Sequence, residues 1–324
     1  MAVCLRLHFN GVGEGMKITI VCLLLFFSIT ELFAQSDSTA TDSSGAVRHH
    51  VQRGRTIIAH QHEHKGFFGR LGENIVLQAE APFTMTEKQA MWVAGGTAIT
   101  IGLISIDDKV DRDYFKNMGR KNRYIRNQSR FITELGGKYG IGGSLIFSVY
   151  SFTLGGKKEQ ETSRLLAEAL ITSGLWVRVG KLIFGRERPS AAYEFSHERG
   201  GRWNGAFQQT KIFRGESVTR FDAFPSGHTA TAFAIATVFA EQYSNIKVVP
   251  YIAYTTASIV GVTRMIEHTH WASDVFAGGV LGYLCAQQVV ANFRENYSDE
   301  TVKTNLSLGI LDNGTPAITY SVVW

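Results

Sequence analysis

Three short clusters carry side chains whose types and spacing suit chemistry on a phosphate-like anion. In the first, Lys181 and Arg188 lie seven residues apart and Pro189 follows at once. Cations at that spacing share one face of a helix, and the proline forces the chain out of the helix just past Arg188. The second is Phe224-Pro225-Ser226-Gly227-His228-Thr229. Ser226 is suited to cap a helix, Gly227 lets the backbone approach a ligand, and the unpaired amides of a helix start favour an anion. His228 would sit beside that anion with a pKa suited to giving up a proton near neutrality. The third is Thr263-Arg264, followed by His270 and Asp274. On a helix, a carboxylate four residues beyond an imidazole accepts a hydrogen bond from one ring nitrogen, which fixes the tautomer and leaves the other nitrogen to attack. Arg264 adds a planar fork of donors for oxygen anions. Taken singly, the clusters read equally well as a basic helix end, a capped helix and a structural His/Asp pair. Their order, and their position at the ends of apolar helices, make the combination specific.

The elements that must hold these clusters are six apolar segments of helical length: 86–106, 129–153, 162–184, 226–243, 247–265 and 268–293. They predict an all-α fold, a six-helix bundle. Small residues recur in them, as in Ala94-Gly95-Gly96 and Ala277-Gly278-Gly279, and allow close helix contacts. Residues 185–224 form a long loop rich in Arg, Gly and aromatics, where the active site is expected. Phe184, Phe195, Trp203, Phe207 and Phe213 either line its entrance or simply pack. Near the end, Leu306, Leu308 and Ile310 alternate with polar residues, Asp312-Asn313-Gly314-Thr315-Pro316 punctuates, and Ile318, Tyr320, Val322 and Trp324 alternate again. That pattern predicts a small C-terminal β-hairpin at 296–324, which must dock on the helices, on strands around Ile75 to Leu77, or on another chain.

Ahead of the bundle domain at 84–295, residues 1–34 have the layout of a signal peptide, with Met16 as an alternative start, and 35–83 read as a polar linker. His60, His62 and His64 in that linker share a face if extended, but no Cys or carboxylate cluster completes a metal site. The chain has 324 residues, 44% of them hydrophobic and 19% charged, which excludes disorder, collagen and coiled coil. Three cysteines, Cys4, Cys22 and Cys285, cannot build a disulfide framework. A net charge of +5 suits nucleic acid, an anionic membrane surface or a phosphorylated substrate, and does not choose among them.

The three clusters together resemble the signature of the type 2 phosphatidic acid phosphatase superfamily: Lys-x6-Arg-Pro, then Pro-Ser-Gly-His, then Ser-Arg-x5-His-x3-Asp. The match runs directly from 181 to 274, and one departure is visible, Thr263 where the family usually has Ser. The resemblance implies a phosphatase that needs no metal or other cofactor and works through a phosphohistidine. His270 is then the nucleophile, Asp274 its orienting partner and His228 the acid that protonates the leaving group. Lys181, Arg188, Ser226, the Gly227 amide and Arg264 are the expected phosphate-binding groups. The expected substrate is a lipid-linked phosphomonoester or diphosphate, of the phosphatidic acid, phosphatidylglycerophosphate, undecaprenyl diphosphate or lipid A class. A phosphatase of soluble monoesters, a vanadium-dependent haloperoxidase and a non-catalytic envelope scaffold are the competing readings.

Charge-free runs of 17 residues (Ala90 to Ile106), 18 (Tyr139 to Gly156) and 19 (Val275 to Phe293) approach the roughly 20 that a spanning helix needs. If all six helices span after cleavage of the signal, the basic 107–128 connection falls in the cytoplasm, and so does the catalytic loop. A mean hydropathy of −0.02 and the exported leader favour a periplasmic or envelope protein at the membrane surface, with integral insertion as the alternative. The expected partners are a lipid phosphate and the membrane surface, with no nucleic acid; the hairpin docks on its own body or on a partner chain.

Overall fold

The computed structural model describes residues 65–116, 118, 122–206 and 218–296, together with the backbone of 303–310 and 316–323. The expected signal peptide, the His60, His62 and His64 triplet, Cys4, Cys22, Phe207 and Phe213 lie outside the described residues.

The described residues between 65 and 296 form an all-α body. Its long helices are α1 (Phe67–Thr84), α2 (Glu87–Val110), α3 (Arg123–Thr133), α4 (Lys138–Thr153), α5 (Lys157–Phe184), α6 (Gly227–Gln242), α7 (Val248–Ile266) and α8 (Ala272–Asn296). Local chemistry sets several boundaries. Thr86 and Gln89 form a reciprocal capping box at the start of α2. The Asn122 side chain accepts from the Tyr124 and Ile125 amides to open α3. Gly185, left-handed at φ 51°, closes α5.

Two expectations need correction. The segment expected as one helix from 129 to 153 is broken: α3 stops at Thr133, a 3-10 turn covers Glu134–Gly136, and α4 starts after Gly137. Residues 67–83, expected within a polar linker, are helical, and so is the strand candidate at Ile75 to Leu77. The cause is the face formed by Arg70, Asn74 and Gln78, spaced four apart. Arg70 donates to Glu168 Oε1 at 2.9 Å and Asn74 to Glu168 Oε2 at 2.9 Å, while Gln78 bonds Gln288 and accepts from Trp176. Glu168 is 1% exposed inside an otherwise apolar core, and α1 supplies the partners that make its burial tolerable.

The core centres on α6, which packs against α5, α7 and α8. Leu165, Leu166 and Ala169 of α5 meet Ala234 and Val238 of α6 and Ala286, Val289 and Val290 of α8. On the other side, Phe233 and Ala236 of α6 meet Tyr254, Ala257 and Val260 of α7. Gly278 and Gly282 let α8 lie almost on the backbone of Ser226 and Ala230, because a β-carbon at either glycine would collide with those backbone atoms. This close crossing brings the start of α6 to the start of α8, where two of the three sequence clusters lie.

The outer helices differ. Leu145, Ile146, Val149 and Phe152 of α4, with Ile99 and Ile101 of α2, are exposed. The stretch Glu87–Phe115 is long and apolar enough to cross a membrane, and its apolar window is not buried within the body; Ala272–Glu295 passes the same test of length and composition but is mostly buried. Beyond the body, Lys303–Ile310 pairs antiparallel with Pro316–Val323, with Leu306 opposite Tyr320.

Candidate active site

The chain leaves helical geometry at Gly185, so Lys181 belongs to the last turn of α5 while Arg188 lies beyond it on extended backbone (φ −72°, ψ 153°). The two do not share a helix face as their spacing suggests. They converge instead on Asp222: Lys181 Nζ is 3.4 Å from Oδ2, and Arg188 Nε donates to Oδ1 at 2.6 Å. Burial alone would raise the Asp222 carboxyl, but Lys181 and then Arg188 outweigh it and hold the group below its ordinary value. Burial likewise lowers Lys181, with Asp222 opposing.

Ser226 stands at the N-cap of α6, but its hydroxyl pairs with the Thr229 hydroxyl at 2.9 Å and does not cap the helix as expected. The positive end of α6 is therefore left to other acceptors. His228 departs from the expected near-neutral value: burial and then Arg264 push it down to about 4, with Glu134 pulling the other way. Burial is the larger cause of the neutral imidazole, and the cations that make the site attractive to an anion add to it.

His270 lies in the turn before α8, not on the helix, and is 1% exposed. Its Nδ1 donates to the Ala223 carbonyl at 2.7 Å, whereas Asp274 Oδ2 is 3.7 Å away. Because a carbonyl only accepts, Nδ1 carries the proton and Nε2 carries the lone pair. Burial first, then Arg188, Lys181 and Arg264, hold His270 well below its ordinary value, so the ring is neutral and nucleophilic. The expected direct pairing with Asp274 is thus replaced by a backbone acceptor, and Asp274 works one step removed. It accepts from Arg186 at 2.6 Å and from the Trp271 amide at 2.8 Å, fixing the turn that carries His270.

The Thr263 hydroxyl bonds the Val260 carbonyl at 2.6 Å and Thr133 at 3.2 Å, which places it in support of the site. Arg264 Nη1 donates to the same Thr133 hydroxyl at 3.0 Å and to Glu267 at 2.8 Å. Arg264 Nε is buried with no hydrogen-bond partner, a donor left over for an oxygen anion.

Several working residues escape a reading of the sequence. Arg186 is wholly buried; it bonds Asp107 of α2 at 2.7 Å, Ser273 at 2.6 Å and the Gly200 carbonyl at 2.8 Å besides Asp274. Ser273 closes the network with a short hydrogen bond to Asp107. Glu187, also wholly buried, takes Arg220 at 2.8 Å and Ser196 at 2.5 Å. Three consecutive residues, Arg186 to Arg188, therefore turn to three separate partners and define the 185–224 loop. The run Arg-Glu-Arg within that loop is the signal that marks them. Among the predicted aromatics, Phe184 and Trp203 stack edge-on at 5.9 Å and both meet Phe224, at 5.0 and 5.4 Å, beside the site. Phe195 lies under Arg220 instead. Among the described residues no group of three His, Cys, Asp or Glu is placed to hold a metal ion.

A neutral, buried imidazole surrounded by Lys181, Arg188, Arg264 and the start of a helix defines an anion cage built inside a helical bundle. Residues 163–298, less than half of the chain, match the model of the PAP2 superfamily. It is similar to the lipid A 1-phosphatase of Porphyromonas gingivalis, 27% identical over 64% of this chain and 38% of that protein. It is also similar to the lipid A 1-phosphatase of Rhizobium etli, 31% identical over 36% of this chain and 44% of that protein. The chain thus spans less than half the length of either relative. Among solved structures it is similar to Aquifex aeolicus LpxE, at 21% identity and TM-score 0.41 over 55% of this chain and 92% of that one. A PAP2-type phosphatidylglycerolphosphate phosphatase from Bacillus subtilis gives 17% identity and TM-score 0.37 over 72% of this chain and 98% of that one.

Proposed function

We propose that this protein is a lipid phosphatase that removes a phosphate monoester from a lipid-linked substrate, of the class represented by lipid A, at a membrane surface. The observation that carries the reading is the state of His270. Its protonated Nδ1 is tied to Ala223, its lone pair is on Nε2, and three cations from separate elements stand around it. Phosphoryl transfer needs positioned donors around three equatorial oxygens more than it needs elaborate covalent chemistry. Lys181, Arg188, Arg264 Nε and the amides at the start of α6 supply them.

In the first step the Nε2 lone pair attacks phosphorus as the bond to the ester oxygen breaks, and His228 gives that oxygen its proton. In the second, water attacks the phosphohistidine, His228 takes up the water's proton, and inorganic phosphate leaves. A phosphate dianion beside the ring favours its protonated form, opposing the burial and the cations that lower it. Two observations favour a lipid over a soluble ester. The Phe184, Trp203 and Phe224 cluster offers an apolar wall at the site, and the exposed faces of α2 and α4 are the kind of surface that lipid covers.

The test is phosphate release by purified protein in EDTA from a lipid A bisphosphate, phosphatidic acid, phosphatidylglycerophosphate, undecaprenyl diphosphate and a soluble aryl phosphate, with His270→Ala as the blank. Release from a lipid that the substitution abolishes is the expected result. Release confined to the aryl phosphate would move the reading to a phosphatase of soluble esters.

A further inference from the structure

A second basic site adjoins the cage. A cleft of about 660 Å³ lies between α3, the turn after it and the end of α7, lined by Arg126, Arg130, Lys138, Glu134, Arg264 and Thr269. Arg264 is a wall shared with the phosphate cage. Glu134 marks which side of the cage the cleft occupies, for Glu134 Oε2 and His228 Nε2 both flank Gly137, at 2.9 and 2.8 Å from where its β-carbon would be. His228 is the group that meets the leaving oxygen, so the cleft lies on the leaving-group side.

The charges of the cleft are only partly balanced by the fold. Glu267 is taken by Arg264 at 2.8 Å, and Glu134 faces Lys138 at 4.0 Å. Arg126 and Arg130 are exposed and form no ion pair among the described residues, with Arg130 acting on the Glu267 carboxylate only at longer range. They stand four apart on α3, a helix whose sequence, Arg123 to Thr133, holds three arginines and no acidic residue. Like charges at that spacing repel, and Arg123 and Arg126 near the helix start oppose its dipole while Arg130 in the last turn does not, so α3 carries an electrostatic cost that a bound anion would relieve.

Resting on the function proposed above, we propose that this cleft is an accessory anion subsite that holds a second phosphate of the same substrate molecule, on the part that leaves. Arg126 and Arg130 bind it, and Lys138 closes the far side. The protein then prefers a bisphosphorylated lipid over the same lipid carrying only the phosphate to be removed.

The experiment compares wild type with Arg126→Gln/Arg130→Gln in detergent micelles, using a bisphosphorylated glucosamine-disaccharide lipid and its monophosphate. The ratio of kcat/KM for the two lipids is expected to fall about tenfold or more in the variant, the scale of one lost charge-assisted contact. An unchanged ratio overturns the subsite. Binding of the bisphosphate to His270→Ala protein, with and without the arginine substitutions, reads the subsite without turnover. Weaker binding with the substitutions supports it even if wild type releases phosphate from neither lipid, a result that would sink the catalytic reading alone. Equal weakening of binding to phosphatidylglycerol vesicles would assign the arginines to the membrane surface and overturn the substrate assignment.

Discussion

The two halves of the site are built to different standards. On the His270 side every polar group is fixed: Ala223 holds the ring, Arg186 and the Trp271 amide hold Asp274, and Asp107 and Ser273 hold Arg186, all at 0 to 1% exposure apart from the amide contacts. On the His228 side the imidazole is only partly buried, Glu134 stands near it, and beyond it the cleft opens among exposed arginines. An attacking atom must arrive within a fraction of an ångström, whereas a leaving group varies from substrate to substrate. Rigidity is concentrated where the chemistry is invariant, and room is left where the substrate differs.

Replacing each histidine separates the halves most sharply. His270→Ala is expected to lower phosphate release at least about 10⁴-fold on every substrate, since nothing replaces the nucleophile. His228→Ala is expected to slow the first step, release of the leaving group in a single turnover, by about 10²- to 10⁴-fold on a lipid ester but much less on an aryl phosphate, whose leaving oxygen needs no proton. Equal losses on both substrates in that first turnover would remove His228 from the acid's role. Single-turnover release from the two substrates, with helicity measured as a control, decides the matter.

Next in size is the rigidity itself. Arg186→Met leaves Asp107 and Asp274 buried without their cation, and is expected to destabilise the protein by about 3–5 kcal/mol. Chemical denaturation in detergent measures it, and a loss below about 1 kcal/mol would show that the network is not what holds the His270 turn. Gly137→Ala probes the looser half. The new methyl would press on His228 Nε2 and Glu134 Oε2, displacing the acid, with an expected fall in kcat of about 10²-fold for an ångström of displacement.

The smallest effect is a pH dependence. The His228 pKa in the fold, about 4, lies below its ordinary 6.5, so the unfolded chain takes up a proton that the folded chain refuses. Stability associated with the neutral ring is complete above about 6.5 and is lost as pH falls toward 4; His270 acts in the same direction. The expected record is a Tm that declines across that window, and less steeply in His228→Asn. A flat Tm from 6.5 to 4 would contradict the burial of both rings.

The sequence makes the three clusters legible because each is short and its residues are chemically rare in apolar surroundings. Lys181, Arg188, Ser226, His228, Arg264 and His270 are all brought to one region, yet their local contacts are not those their spacing suggests. Gly185 ends α5 early, so the cations meet through Asp222 and not along a helix face; α8 starts at Ala272, so His270 finds a carbonyl 47 residues away in place of Asp274. Partners such as Asp107 and Glu134 are invisible in sequence because only tertiary packing joins segments that far apart. Helix α1 was within reach: Arg70, Asn74 and Gln78 at four-residue spacing are a polar helix face, and the buried Glu168 of α5 needed one.

On the mechanism proposed, His270 becomes covalently phosphorylated during turnover. Rapid acid-free quenching of the protein with lipid labelled in its phosphate, followed by peptide mass spectrometry, tests it. The expected result is a base-stable, acid-labile phosphate on Nε2 of His270, absent from His270→Ala and accumulating when water's attack is slowed in His228→Ala assayed on an aryl phosphate. Full turnover with no label on His270 at any quench time, or label on another residue, would contradict it.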